Sequence, residues 1–220
     1  MGTLLIYSGL LRAQDPINRA EEFFLEDLFY TGVTYNILTN KPEQVIQRSL
    51  SYTINAGMFR EWALTRNRKV SIAQGVGYSL SAYYSNIGAT EVNGNLEYTI
   101  IPSDEFKRSK IGAHAVEFPF ELRFRGATRE SYRFWRFHAG LTYSYVFDSH
   151  WVRVDEDGRT SIRNTDMRKS QWGITAALGY NTFNFRFYYG LTPLLNDDPR
   201  LNGEPISIRN LGVGIFFYIL

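Results

Sequence analysis

The chain has 220 residues, 24 Lys and Arg against 22 Asp and Glu, and no cysteine. This length sets a single domain as the default, the near-balanced charge leaves no basic nucleic-acid footprint, and the missing thiols exclude disulfides, thiolate metal sites and cysteine nucleophiles. Aromatic residues reach 16%, with Tyr 15 and Phe 16, far more than a soluble core of this size needs. A barrel that turns side chains to lipid and carries aromatic girdles at both interfaces can use them all. No stretch approaches the roughly 18 apolar residues of a membrane helix. The mean hydropathy of −0.26 argues against a helical membrane protein but not against a barrel, whose strands are half polar.

The first element is an apolar run from Thr3 to Leu11, followed by Arg12, Ala13, Gln14 and Asp15. It reads as a signal-peptide core and a cleavage zone, short or truncated because only Met1 and Gly2 precede it; the alternative is a buried N-terminal strand. The expected organisation is a signal peptide over 1–14, a charged periplasmic lead-in over 15–27 and a barrel over 28–220.

Period-two alternation, the mark of a strand with two different faces, then recurs along the chain. Phe29, Thr31, Val33, Tyr35 and Ile37 give a first strand, and Tyr52, Ile54, Ala56 and Met58 a second. Val76, Tyr78, Leu80, Ala82 and Tyr84 give a third; Val116, Phe118, Phe120, Leu122 and Phe124 a fourth. A fifth runs through Trp135, Phe137, Ala139, Leu141, Tyr143, Tyr145 and Phe147. The sixth carries Trp172, Ile174, Ala176, Leu178 and Tyr180, and the seventh Phe183, Phe185, Phe187, Tyr189 and Leu191. Leu211, Val213, Ile215, Phe217 and Ile219 give the eighth. A two-residue turn at Asn181-Thr182 sets Tyr180 against Phe183, Leu178 against Phe185, Ala176 against Phe187 and Ile174 against Tyr189, all on the apolar face. A one-residue slip would oppose apolar to polar faces throughout.

Links after the second, fourth and sixth strands are short, and those after the others are long. Short turns at one end and long loops at the other are the layout of an outer-membrane barrel, with both termini periplasmic for an even strand count. A soluble lipocalin-like barrel would bury its apolar face inward and would not need an unbroken aromatic face outward. Inside the third long link, Asn93-Gly94 signals a hairpin, with strand three continuing past the membrane to pair with residues 96–101. Asp155 to Gly158 reads as the tip of a second ribbon between strands five and six. The fold class is therefore all-β: an eight-stranded antiparallel up-and-down transmembrane β-barrel with short periplasmic turns and longer extracellular loops.

Eight strands enclose an interior just wide enough to be filled by side chains. The inward face holds Gly32, Gly57, Gly75, Gly77, Gly140, Gly173, Gly179, Gly190, Gly212 and Gly214, which make room for large polar neighbours. Those neighbours are Glu117, Glu121, Arg123, Arg136, His138 and Arg186. They read either as a proton relay or ion-selective constriction, or as a salt-bridge plug; the narrow lumen favours the plug. Pairing across the turn after strand four is expected to bring Glu121 opposite Arg136 or His138, with Arg123 nearer the turn.

A lipid-modifying enzyme would need a nucleophile, a base and an orienting carboxylate within hydrogen-bond reach. His114 and His150 fall near the long-loop ends of strands four and five, with Ser109, Ser149, Asp104 and Asp148 close in sequence. No spacing motif supports a triad, so no catalytic residue is assigned. Asp155-Glu156-Asp157 lacks the ligand spacing of a calcium loop, and Gly75-Val76-Gly77 is not followed by a helix as a nucleotide fingerprint would be. No metal site and no cofactor are expected.

Four stretches together carry a family likeness: Val116 to Phe124 (VEFPFELRF); Gly179-Tyr180-Asn181 leading into Phe185 to Tyr189; Tyr189 to Leu195 (YGLTPLL); and Gly214 to Leu220 (GIFFYIL). From about Val70 onward the chain resembles the PorT-like outer-membrane β-barrel proteins typical of the Bacteroidota. The resemblance implies the eight-stranded barrel and, for the founding member, a part in type IX secretion; it carries no catalytic residues. The reading is a non-enzymatic, porin-like barrel of the bacterial outer membrane with a plugged lumen. Its expected partners are outer-membrane lipid or lipopolysaccharide and an envelope or secretion-system protein, not nucleic acid. The alternative is an outer-leaflet lipid-modifying enzyme, lipid A deacylase-like, with a rim histidine.

Overall fold

The computed structural model describes residues 24–102, 106–126, 135–180 and 183–219. The described residues form strands and no helix: β1 (Phe24–Thr39), β2 (Tyr52–Ala63), β3 (Val70–Tyr84), β4 (Ile87–Val92), β5 (Asn95–Ile100), β6 (Arg108–Arg125), β7 (Trp135–Val154), β8 (Arg159–Arg163), β9 (Ser170–Tyr180), β10 (Phe183–Gly190), β11 (Arg200–Leu201), β12 (Glu204–Pro205) and β13 (Arg209–Ile219). Eight of these, β1, β2, β3, β6, β7, β9, β10 and β13, pair in a ring that β13 against β1 and β6 against β7 close. Every pairing around the ring is antiparallel, so the sheet has no free edge within the barrel.

All eight alternating segments of the sequence are strands of this ring. The Asn181-Thr182 turn lies outside the described residues, but its flanks pair as the alternation requires: Tyr180 with Phe183, Leu178 with Phe185, Ala176 with Phe187 and Ile174 with Tyr189. The expected signal segment also lies outside the described residues. β1 begins at Phe24, within the expected lead-in, because its pairing with β2 runs down to Phe24 opposite Trp62 through a register shift between Phe24 and Glu26.

The outward faces are apolar all round the ring: Phe29, Val33, Ile54, Val76, Phe120, Leu141, Ile174, Phe185 and Ile215 are all exposed. Aromatic rings mark the two ends of this belt. At the short-turn end Trp135 packs on Tyr180 at 5.3 Å between centroids and Phe183 on Phe217 at 5.4 Å. At the other end Tyr143 meets Trp172 at 4.9 Å, with Tyr78 and Phe147 further round the ring. From Trp172 to Tyr180, β9 covers about 27 Å of strand, or roughly 20 Å of depth at the usual barrel tilt. That is close to the apolar band of an outer-membrane barrel.

The hairpin at Asn93-Gly94 is present, with both residues at positive φ (53° and 80°), as a two-residue type I′ turn requires. Its strands differ from the expectation. β3 stops at Tyr84, and the ribbon is a separate two-stranded sheet of β4 with β5. The chain leaves the barrel at Asn86, whose side chain accepts from Ile46 N and donates to Gln44 O, so the first long connection holds the departure point. The second ribbon is a true extension: β7 continues to Val154 and pairs with β8 around the Asp155 to Gly158 tip.

The long connections fold together over the barrel mouth. Ile87, Tyr98, Ile101, Phe106, Trp151, Met167, Leu194, Leu195, Leu201, Ile206 and Ile208 form one buried apolar cluster. Trp151 Nε1 ties it together, donating to Ile87 O at 3.0 Å and to Ser109 Oγ at 3.1 Å. Tyr98 donates to Asp166 at 3.1 Å, fastening the β4–β5 ribbon to the link before β9; burial and the Asp166 carboxylate raise this phenol's pKa, so it stays a donor. A bulge shapes the approach to this cap. Ala115 pairs with Val146 but His114 with Asp148, leaving Phe147 as the extra residue. Side-chain parity flips there, so Ser149 and Trp151 turn inward while His150 turns outward.

Candidate functional site

The lumen is the site that the sequence singles out, and its residues come from β1, β2, β3, β6, β7, β10 and β13. Alternation alone puts Arg123 and Glu121 of β6 on the inward face, where both are buried, with 1% and 2% of their surface exposed. Arg123 donates from Nε and Nη2 to Glu121 Oε2, at 3.0 and 2.9 Å, and from Nη1 to Glu61 Oε2 at 3.0 Å. Glu61 also accepts from Arg125 Nη2 at 2.6 Å and from the Ser71 hydroxyl. His138 stands with Nδ1 3.7 Å from Glu121 Oε2. Aromatic rings complete the layer: the Arg123 guanidinium lies 4.3 Å from the Phe59 ring centre and 5.1 Å from that of Tyr218.

One level nearer the cap, Arg186 lies 4.5 Å over the Phe216 ring and donates to Thr142 Oγ1 at 3.3 Å. Glu117 accepts from Asn55 Nδ2 at 3.0 Å. Above them, small polar side chains link β13, β1, β2 and β3: Asn210 donates to Asn36, Asn36 to Thr53, and Thr53 shares a hydrogen bond with Ser81. They line a cavity of about 50 Å³ between the Arg186 level and the cap. It has room for a few waters, at about 10–15 Å³ each.

Glu121, Arg123 and His138 therefore meet in one network; Arg186 and Glu117 sit on the level above it. Arg136 is half-buried at the short-turn end, opposite Arg125. The expected register is corrected here: Glu121 faces Gly140, Arg123 faces His138 and Arg125 faces Arg136. The expected registers, with His138 or Arg136 opposite Glu121, differ from this one by two or four residues, and an even shift keeps every side chain on its face, so alternation cannot choose between them. The observed one stacks Phe124 on Phe137 across the strands, with ring centres 6.2 Å apart.

Glu61 and Arg125 were missed. The signal was present, because extending the second strand past Met58 puts Phe59 and Glu61 on the same face as Gly57. The inward glycines also make room for something other than polar side chains. A Cβ on Gly32 would lie 2.6 Å from the Phe216 ring, and one on Gly173 would lie 2.3 Å from that of Tyr188. At Gly32, Gly57, Gly75, Gly77 and Gly173 aromatic rings lie across the glycine, as in curved sheets where rings cover glycine kinks, while at Gly179, Gly212 and Gly214 the neighbours are the polar side chains of Asn184 and Thr34.

The rim residues do not assemble into a triad. The Ser149 hydroxyl turns inward and donates to Gly112 O, and that of Ser109 donates to Ile87 O. His150 faces outward, with Nδ1 3.2 Å from Asp148 Oδ2, and His114 bonds the Tyr78 hydroxyl on the same outer face. Asp104 lies outside the described residues. The serines and the histidines thus stand on opposite faces of the sheet wall.

A closed antiparallel eight-stranded ring, apolar outside, girdled by aromatics and filled with polar groups, defines a small outer-membrane β-barrel. The comparison with protein families agrees: the chain belongs to the family described as outer membrane protein beta-barrel domain, whose model matches residues 13–196. No curated protein matches it. The chain is thus a protein of the bacterial outer membrane, with its short turns periplasmic and its capped end extracellular.

Proposed function

We propose that the protein is a non-enzymatic outer-membrane barrel with a plugged lumen, which acts by presenting its folded extracellular cap to an envelope or secretion partner. The observation that carries this reading is the buried Glu61–Arg123–Glu121 network, stacked between Phe59 and Tyr218 across the lumen. Ions crossing it would have to break several charge-assisted hydrogen bonds, and a proton relay would need titratable groups in a continuous wet file. The cap supports the docking half of the reading. Its buried core gives the loops a fixed shape, and Ile46 and Val92 stand exposed on its surface. The PorT-like resemblance supports a partner in the secretion machinery of a Bacteroidota-type envelope, and residues 1–14 serve as the export signal in this scheme.

The test is photocrosslinking in intact cells of the native host. A photoreactive residue at Ile46 or Val92 is expected to give a discrete larger species, while one at Arg66, on the periplasmic turn, gives none. Absence of an adduct from every exposed cap position would contradict docking.

A further inference from the structure

Above the aromatic belt, the outer wall of β6, β7 and β8 carries a cluster of cations that the lumen does not use. The register places them. Arg108, Val154 and Arg159 share one cross-strand rung; Lys110, Val152 and Ser161 share the next; Gly112, His150 and Arg163 share the third; His114 and Asp148 end the series. Arg108, Arg159 and Arg163 are exposed. Lys110, His114, His150 and Arg159 line one groove, with Val152 between them. Lys110 lies 5.7 Å from the Tyr84 ring centre. Asp148 is the acid of this face and is engaged by His150; among the described residues, no carboxylate lies within salt-bridge distance of Lys110, Arg159 or Arg163.

Like charges on neighbouring rungs repel one another, so such a cluster is stabilised when an anion bridges it. Depth selects the anion. His114 contacts Tyr78 and Phe147, the last exposed aromatics of the belt on this side, at 6.0 and 6.3 Å between ring centres. Lys110 lies four residues further along β6, about 13 Å of strand. This is the headgroup layer of the outer leaflet, where guanidinium and ammonium groups pair with phosphate oxygens.

We propose that this wall is a binding site for a phosphorylated glycolipid of the outer leaflet. Lys110, Arg159 and Arg163 hold the phosphate, Arg108 adds charge at its outer edge, and His114 and His150 border the sugar. The acyl chains descend over Tyr78 and Phe147, both exposed to the membrane. The site sits on the outer wall and does not depend on what the cap docks.

The test uses the full-length barrel folded in detergent and native mass spectrometry. Its probes are bisphosphorylated lipid A, the same lipid with its phosphates removed, and inorganic phosphate as competitor. The wild type is expected to retain the phosphorylated lipid at least tenfold better than the dephosphorylated one. A Lys110→Ala, Arg159→Ala, Arg163→Ala triple variant should lose that preference. An Arg66→Ala, Arg68→Ala, Lys69→Ala variant, which removes the same charge at the periplasmic turn, should keep it. Heat-modifiable migration of each variant verifies the fold. Equal retention of the two lipids, or an unaltered preference in the triple variant, would overturn the proposal. Full displacement by millimolar inorganic phosphate would show a free-anion site and would overturn the lipid assignment.

Discussion

Removing the Arg123 guanidinium should be the most damaging single change in the barrel. Arg123→Ala would leave Glu121 without its cation and Glu61 dependent on Arg125 alone, with both carboxylates out of reach of bulk water. Breaking a buried ion pair by deleting one partner costs about 3–5 kcal/mol. The lost stacking on Phe59 and Tyr218 puts the expected value toward the upper end. Leu141→Ala is the control: this side chain faces lipid, where acyl chains fill the space left behind, so only its transfer from water is lost and the cost should be about 2 kcal/mol. A second comparison separates lost charge pairing from lost volume. Arg123→Met combined with Glu61→Gln and Glu121→Gln removes the charges together and should recover much of the loss, since replacing a whole buried ion network is often close to neutral. Arg125 is partly exposed and can hydrate once Glu61 is neutral. The assay is reversible urea unfolding in lipid bilayers, followed by tryptophan fluorescence and heat-modifiable migration. An Arg123→Ala barrel within about 1 kcal/mol of wild type would refute the argument, as would a triple variant no more stable than the single one.

Arg136→Ala should cost clearly less than Arg123→Ala in the same titration, because Arg136 is only half-buried near the periplasmic turn. Gly173→Ala should lower stability by about 1–3 kcal/mol through overpacking against Tyr188, and Tyr188→Ala in the same chain should relieve part of that strain. Trp151→Phe removes the one N–H that the cap shares between Ile87 O and Ser109 Oγ, worth about 1 kcal/mol. Limited proteolysis should then cut the long connections faster, while the urea midpoint of the barrel stays unchanged.

The parts of this structure that were legible in the sequence are those governed by period two. The outer face of β9 and β10 is so regularly apolar that turn and register follow together. The inward placement of Glu121, Arg123, His138 and Arg186 follows from the same rule. Alternation was silent where a shift preserves parity, which is why Glu121 was set opposite the wrong partner. It was also silent where parity breaks, as at the Phe147 bulge, which turns Ser149 inward and away from His114 on the outer face. Glu61 was legible but unread: carrying the alternation past Met58 puts it on the inward face with Gly57 and Phe59. The cap was not legible. Ile101, Leu194, Leu195, Ile206 and Ile208 pack together from irregular segments with no periodicity to announce them.

The central claim, a lumen closed by its own ion pairs, is tested most directly by electrical recording across planar bilayers. Full-length protein, shown by heat-modifiable migration to be folded, is inserted at low density in concentrated potassium chloride and held at stepped voltages. No steady conductance is expected, because ions would have to break the buried Glu61–Arg123–Glu121 pairs held between Phe59 and Tyr218. Large, stable single-channel steps from the wild-type protein would contradict it.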